Sequence, residues 1–138
     1  MVGAIEGLSH MTFIVRDLDR MEHLLTTILG ARKVYDSGEE TFSVSRERFF
    51  TIGELWIATM EGDPPPTRTY NHIAFKIDEA DYDAFLQRIS ALDLELKEGR
   101  SRVGGEGRSI YFYDYDNHLF ELHTGTLEQR LIRYGRGR

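Results

Sequence analysis

The sequence predicts an α+β fold built from two tandem β-α-β-β-β modules within one domain of 138 residues. Three observations predict it. Ser9 to Asp17 (SHMTFIVRD) reads like Asn71 to Glu79 (NHIAFKIDE), so a unit of structure is repeated. Each of these stretches alternates like a half-buried strand and runs into an amphipathic helix. Each half then closes on a short apolar run, Leu55 to Met60 in the first and Leu119 to Thr124 in the second. A repeat of this length restricts the architecture strongly. The first module is expected over about 5–62, the second over about 68–126, and a C-terminal helix over about 126–134.

The elements follow in order. The stretch Ser9 to Asp17 alternates as the first strand, and the helix after it spans roughly Asp17 to Leu29 and stops at Gly30, a frequent C-terminal cap. Short β-like runs follow, among them Ser45 to Phe50, where Ser45, Glu47 and Phe49 share one face and Arg46 and Arg48 the other. Pro64-Pro65-Pro66 reads as a stiff linker between the halves. The second strand-helix pair runs from Asn71 through a helix over roughly Glu79 to Leu92. Lys97 to Arg108 (KEGRSRVGGEGR) is a Gly- and Arg-rich loop, and Gly107 to Asp114 (GRSIYFYD) returns to strand.

Composition bounds the function. No stretch approaches membrane-spanning length, and the N-terminus carries no charged-then-apolar signal segment. The absence of cysteine excludes disulfides and thiolate ligands, and with the missing signal it favours the cytoplasm. A net charge of −6 argues against a general nucleic-acid binder. Membrane partners are not expected either.

Three residues stand out as ligands for a metal ion. His10 and His72 open the two repeated strands, and Glu121 lies in the closing strand of the second half. Two imidazoles and a carboxylate make a facial set for a divalent first-row ion, with coordination positions left over. Aligning Trp56 with Phe120 places Ile57 opposite Glu121, so a symmetric four-ligand site is filled to three and its fourth position is apolar. Thr12 shares the strand face of His10, Tyr70 that of His72, and Ser109 and Tyr111 share a face of their own strand. Arginines beside a metal site hold small anions, and Arg130 lies one or two helical turns past Glu121. Arg100, Arg102 and Arg108 are further candidates, whereas Arg133, Arg136 and Arg138 read as a solvated helix end. His23 reads as a surface residue of the first helix, His118 as a turn residue, His123 as a neighbour supporting Glu121, and Trp56 as core. A Glu within Arg-Glu-Arg, such as Glu47, is ordinarily a surface carboxylate.

The segments IEGLSHMTFIVRDL, FSVSRERFF, RTYNHIAFKI and above all GEGRSIYFYDYDNHLFELHTGTLEQRL resemble the fosfomycin-resistance proteins of the vicinal oxygen chelate superfamily, and most of all the FosX class, which hydrolyses the antibiotic's epoxide. The resemblance spans nearly the whole chain. It implies a homodimer with Mn(II) held by His10, His72 and Glu121, the first supplied by one chain and the other two by its partner. It implies Glu47 as the base that activates water, and Thr12 as a hydrogen-bond partner of the epoxide oxygen. Tyr70, Arg100, Ser109, Tyr111 and Arg130 become the substrate-binding set. Water needs such a base near neutral pH, whereas a thiol arrives partly ionised. The alternatives on the same scaffold are a thiol transferase acting on fosfomycin, a non-catalytic antibiotic-sequestering protein, and a glyoxalase or ring-cleaving dioxygenase. The Gly-rich loop departs from the family pattern, with Ser101 where proline is usual and Gly104-Gly105 in place of a bulkier pair.

Overall fold

The computed structural model describes residues 3–97 and 107–135. It divides into two compact units, residues 1–66 and 67–138. Each is an α+β module with a four-stranded mixed sheet.

The first unit runs β1 (Met11–Val15), α1 (Leu18–Leu29), β2 (Arg32–Asp36), β3 (Glu47–Ile52) and β4 (Leu55–Glu61). Its sheet order is β1-β4-β3-β2, with β1 parallel to β4 and the other pairs antiparallel. Asp17 caps α1, its side chain accepting from the Arg20 backbone N–H at 3.0 Å, an interaction worth about 1 kcal/mol. Gly30 closes the helix in the left-handed region at φ 66°, where a Cβ would be strained. Leu18, Met21, Leu24, Leu25, Ile28 and Leu29 recur at helical spacing and are buried. They cover the sheet face that carries Phe13, Val15, Phe50 and Ile57. Each such side chain contributes roughly 1.5–3 kcal/mol on full burial.

The second unit runs β5 (His72–Lys76), a 3-10 turn (Glu79–Asp81), α2 (Tyr82–Ala91), β6 (Leu96–Lys97), β7 (Ser109–Tyr113), β8 (Leu119–His123) and α3 (Leu127–Arg133). Its order, β5-β8-β7-β6, repeats that of the first unit. The helix expected from Glu79 therefore begins with one tighter turn, capped by Asp78. Ile110, Phe112, Phe120, Leu122 and Ile89 are buried together, with the Phe112 and Phe120 rings stacked 5.5 Å apart. Thr126 and Gln129 form a reciprocal capping box that starts α3. No helix among the described residues is long and apolar enough to cross a membrane.

The pairing registers correct one expectation. Met11 lies opposite Ile57, and its repeat counterpart Ile73 lies opposite Phe120. Thr12 lies opposite Ala58, and its counterpart Ala74 opposite Glu121. The residue equivalent to Glu121 is therefore Ala58, not Ile57, and Phe120 matches Ile57 rather than Trp56. Ile57 and Phe120 are both fully buried against their helices, and a slip of one would turn each to the wrong face. The vacated ligand position is still apolar. Trp56 is likewise not a core residue: it is partly exposed and lies on the face away from α1.

Candidate metal centre

In each unit the face away from the helix carries the candidate chemistry. Paired residues point to the same side of a sheet, so the registers fix the two faces. In the second unit this face holds His72 and Ala74 on β5, Glu121 and His123 on β8, and Ser109, Tyr111 and Tyr113 on β7. In the first it holds Thr12 on β1, Trp56, Ala58 and Met60 on β4, and Glu47 and Phe49 on β3. His10 immediately precedes β1 and keeps its alternation.

His72 and Glu121 come together. His72 Nε2 is 3.0 Å from Glu121 Oε1, and the Glu121 carboxylate is buried at 4% exposure. His72 Nδ1 is 2.7 Å from the Tyr70 carbonyl oxygen, which only accepts, so Nδ1 donates. In the neutral ring Nε2 then presents a lone pair toward a carboxylate oxygen. Two acceptors face one another, the arrangement a cation satisfies. An imidazole fixed through its other nitrogen by a backbone carbonyl is how metal-ligating histidines are oriented. The donor set therefore fits a divalent ion, with nitrogen and oxygen ligands and no sulfur.

His10 is exposed, its Nδ1 is 2.9 Å from Ser9 Oγ, and its ring lies 4.2 Å from Trp56 at a 30° tilt. Trp56 in turn meets the edge of Phe49 at 5.2 Å. Composition pointed Trp56 toward the core, and only the register of β4 shows that it props a candidate ligand. Among the described residues no three His, Asp or Glu side chains converge on one point.

Around Glu121 a hydrogen-bonded chain extends away from His72. Ser109 Oγ donates to Glu121 Oε2 at 2.5 Å and lies 2.8 Å from His123 Nδ1. His123 Nε2 faces Arg130 Nη2 at 3.5 Å. Beside this chain lies a cavity of about 300 Å³ lined by His72, Glu121, His123, Thr126, Leu127 and Arg130, among others. One arginine and one histidine thus flank an open space beside the carboxylate, a setting suited to a small anion. Tyr70 Oη donates to Tyr111 Oη at 3.3 Å, and Tyr111 is buried while Tyr70 is exposed. Arg108 donates to Glu79 at 2.6 Å and covers the Tyr82 ring at 3.8 Å, so it is held at the rim of its own sheet. The Thr124 hydroxyl and the Arg108 guanidinium both bond the Glu79 carboxylate and hold it below the usual carboxylate range. His118 fixes its turn as expected, its Nδ1 donating to the buried Asp114 at 2.7 Å. Arg100, Arg102 and Glu106 lie outside the described residues.

Glu47 departs from the ordinary behaviour of a Glu between two arginines. It is 8% exposed. Ser45 and Arg46 precede β3 rather than belonging to it, so Glu47 is its first residue. Its backbone is tied at both ends to Ser37: its N–H donates to Ser37 Oγ at 3.0 Å, and its carbonyl accepts from the Ser37 N–H at 3.0 Å. Its carboxylate has no hydrogen bond or ion pair among the described residues. The flanking arginines do not neutralise it. Arg46 binds Glu61 and Glu39, and Arg48 binds Asp19, Glu22 and Asp36 on the α1 side. Glu47 lies opposite Met60, one diagonal step from Ala58, the position equivalent to Glu121.

Comparison with known proteins gives the family. The model of the Glyoxalase/Bleomycin resistance protein/Dioxygenase superfamily matches residues 7–122. The fosfomycin resistance protein FosX of Mesorhizobium japonicum is 60% identical over 133 residues, 96% of each chain. The crystal structure of a mutant FosX from Listeria monocytogenes, complexed with Mn(II) and 1S,2S-dihydroxypropylphosphonic acid, is 56% identical. It superposes with a TM-score of 0.86 over 95% of this chain and 99% of that one. The metallothiol transferase FosB of Shouchella clausii is 38% identical, covering 94% of this chain and 88% of the relative. The chain belongs to the FosX branch of the glyoxalase/bleomycin resistance protein/dioxygenase superfamily.

Proposed function

We propose that this protein hydrolyses the epoxide ring of fosfomycin to a diol phosphonate and so confers resistance, with Mn(II) held by His10, His72 and Glu121. The observation that carries the choice of water as nucleophile is Glu47. It is a nearly buried carboxylate, unpartnered among the described residues, one diagonal step from the position where a fourth ligand is replaced by Ala58. The diol bound to the Listeria FosX mutant is what water addition to this epoxide yields. When bound, Mn(II) supplies Lewis acidity at the breaking C–O bond.

The chain's own residues do the rest. Glu47 accepts a proton from the attacking water, whose oxygen bonds to the epoxide carbon next to phosphorus as the C–O bond opposite it breaks; the released oxygen keeps that electron pair and takes a proton from solvent, and Glu47 returns its own to solvent. Thr12, on the same sheet face, hydrogen-bonds the epoxide oxygen. Arg130 meets the phosphonate in the open cavity beside Glu121, with Tyr70 and Tyr111 completing its site, while Ser109, expected among them, gives its hydrogen to Glu121. In the assembly we propose, the protein is a homodimer in which His72 and Glu121 of one subunit work with the partner's His10. Other divalent first-row ions suit the same ligands.

Thiol transfer is the nearest rival, supported by the FosB relative, but a thiolate has no need of a base where Glu47 stands. Phosphorus NMR of fosfomycin with the Mn(II)-loaded protein separates the two. A single diol product at the same rate with and without cysteine or glutathione is expected. A product formed only with thiol would overturn hydrolysis.

A further inference from the structure

The hydroxyl of Ser109 has one hydrogen, and it goes to Glu121 Oε2 at 2.5 Å. His123 Nδ1, 2.8 Å from the same oxygen, must therefore donate to it. In the neutral ring this leaves His123 Nε2 as an acceptor, and the group facing it at 3.5 Å is Arg130 Nη2, which only donates. Among the described residues, the hydrogen bonds of the chain Arg130, His123, Ser109, Glu121 thus run in one consistent direction. The carboxylate is held on Oε2 by Ser109, while Oε1 faces the His72 Nε2 lone pair at 3.0 Å.

We propose that His123 is a positioning residue for the metal ligand Glu121, acting through Ser109, and that it links the anion-binding Arg130 to the metal. The inference rests on Glu121 being a metal ligand. A carboxylate on a sheet has free torsions, and a donor that is itself fixed restricts them. Neither Ser109 nor His123 binds the ion. His123 sets which lone pair of the Ser109 oxygen is used, so the serine hydrogen is left for Glu121. Partners of this kind change metal affinity by about 10–100-fold when removed. The first unit carries Met60 in the equivalent place, opposite Glu47 as His123 is opposite Ser109, so the arrangement belongs to the ligand-bearing unit alone.

The test reads Mn(II) binding rather than turnover. Free aquo Mn(II) is titrated by electron paramagnetic resonance against the full-length parent and the variants His123→Ala, His123→Gln, His123→Asn and Glu121→Ala, with thermal midpoints measured alongside. The Asn amide nitrogen falls where His Nδ1 stands and can still donate to Ser109. The Gln amide falls nearer Nε2 and cannot. The expected order is parent and His123→Asn within about three-fold, and His123→Ala and His123→Gln weaker by about ten-fold or more. Equal affinity in all three His123 variants and the parent would overturn the proposal. So would equal weakening in all three with a matching loss of thermal midpoint, since that is a packing effect. Glu121→Ala separates the two readings: if it binds Mn(II) like the parent, the metal assignment itself fails.

Discussion

Replacing Glu47 with Gln tests the reaction class most directly. The change keeps side-chain size at a site only 8% exposed. The two backbone hydrogen bonds to Ser37, at 3.0 Å each, do not involve the carboxylate, so the start of β3 stays in place. Arg46 and Arg48 have their own acidic partners and lose no ion pair. What disappears is the ability to take a proton from water. Removing a positioned general base costs about two to four orders of magnitude in rate, or roughly 3–5 kcal/mol in the barrier. Initial rates of diol formation by phosphorus NMR, at saturating Mn(II), measure the loss. Mn(II) affinity is expected to stay within about two-fold, because Glu47 is not a ligand in the proposed site. Any thiol addition the parent shows is expected to survive better than hydrolysis. A variant that hydrolyses fosfomycin at the parent rate would remove Glu47 from the mechanism, with Glu106 the next carboxylate to test.

Arg130→Ala is expected to weaken fosfomycin binding by one to two orders of magnitude, as a charge-assisted contact worth about 1.5–3 kcal/mol is lost, while Mn(II) affinity changes much less; calorimetric titration of each ligand checks this. His10→Ala and Glu121→Ala, each inactive alone, are expected to regain activity when their subunits are exchanged, because one of the two sites in the mixed dimer keeps all three ligands; verified exchange without activity would refute a shared site. Ala58→Glu sets a carboxylate at the position equivalent to Glu121, so Mn(II) binding is expected to hold or tighten while fosfomycin turnover falls by at least about ten-fold. The stability of Asp36→Asn relative to the parent is expected to depend on pH. The Gly38 backbone N–H, with Lys33 and Arg48, holds the Asp36 carboxyl below its ordinary value of 3.8 in the folded state. A depressed folded value stabilises the fold above the ordinary value and ceases to do so as pH falls through the folded one. Thermal midpoints of the two proteins should therefore differ most near neutrality and converge in acid.

The helix limits were legible because caps are local. Asp17 and Gly30 each act within a few residues, and both stand where the sequence places them. The shared strand faces were legible too, since a period of two needs no partner. The register was not. Trp56 and Phe120 are both aromatic and suggest an alignment that side-chain chemistry favours but strand pairing rejects, because Ile57 and Phe120 are the residues that fill the two cores. The ion cluster of Arg48 with Asp19, Glu22 and Asp36 had no sequence signal. It exists because α1 lies over β3 and brings distant positions together. The alliance of Ser109 with His123 needed the same cross-strand knowledge: alternation places each on a face, but only the β7-β8 register sets them opposite each other.

Corrected by one residue, the repeat accounts for where the proposed base stands. The two site faces match position by position: His10 with His72, Ala58 with Glu121, Glu47 with Ser109, and Met60 with His123. In the second unit the position diagonal to the ligand carboxylate holds Ser109, whose oxygen reaches Glu121 at 2.5 Å. A glutamate there would set two buried carboxylates side by side, and like charges at that range do not both stay ionised. In the first unit the ligand position is Ala58, neutral and small, so the same diagonal tolerates a carboxylate. The base we propose, Glu47, thus stands in the unit whose Glu121 equivalent is the neutral Ala58, and Ser109 takes its place in the unit that carries the carboxylate.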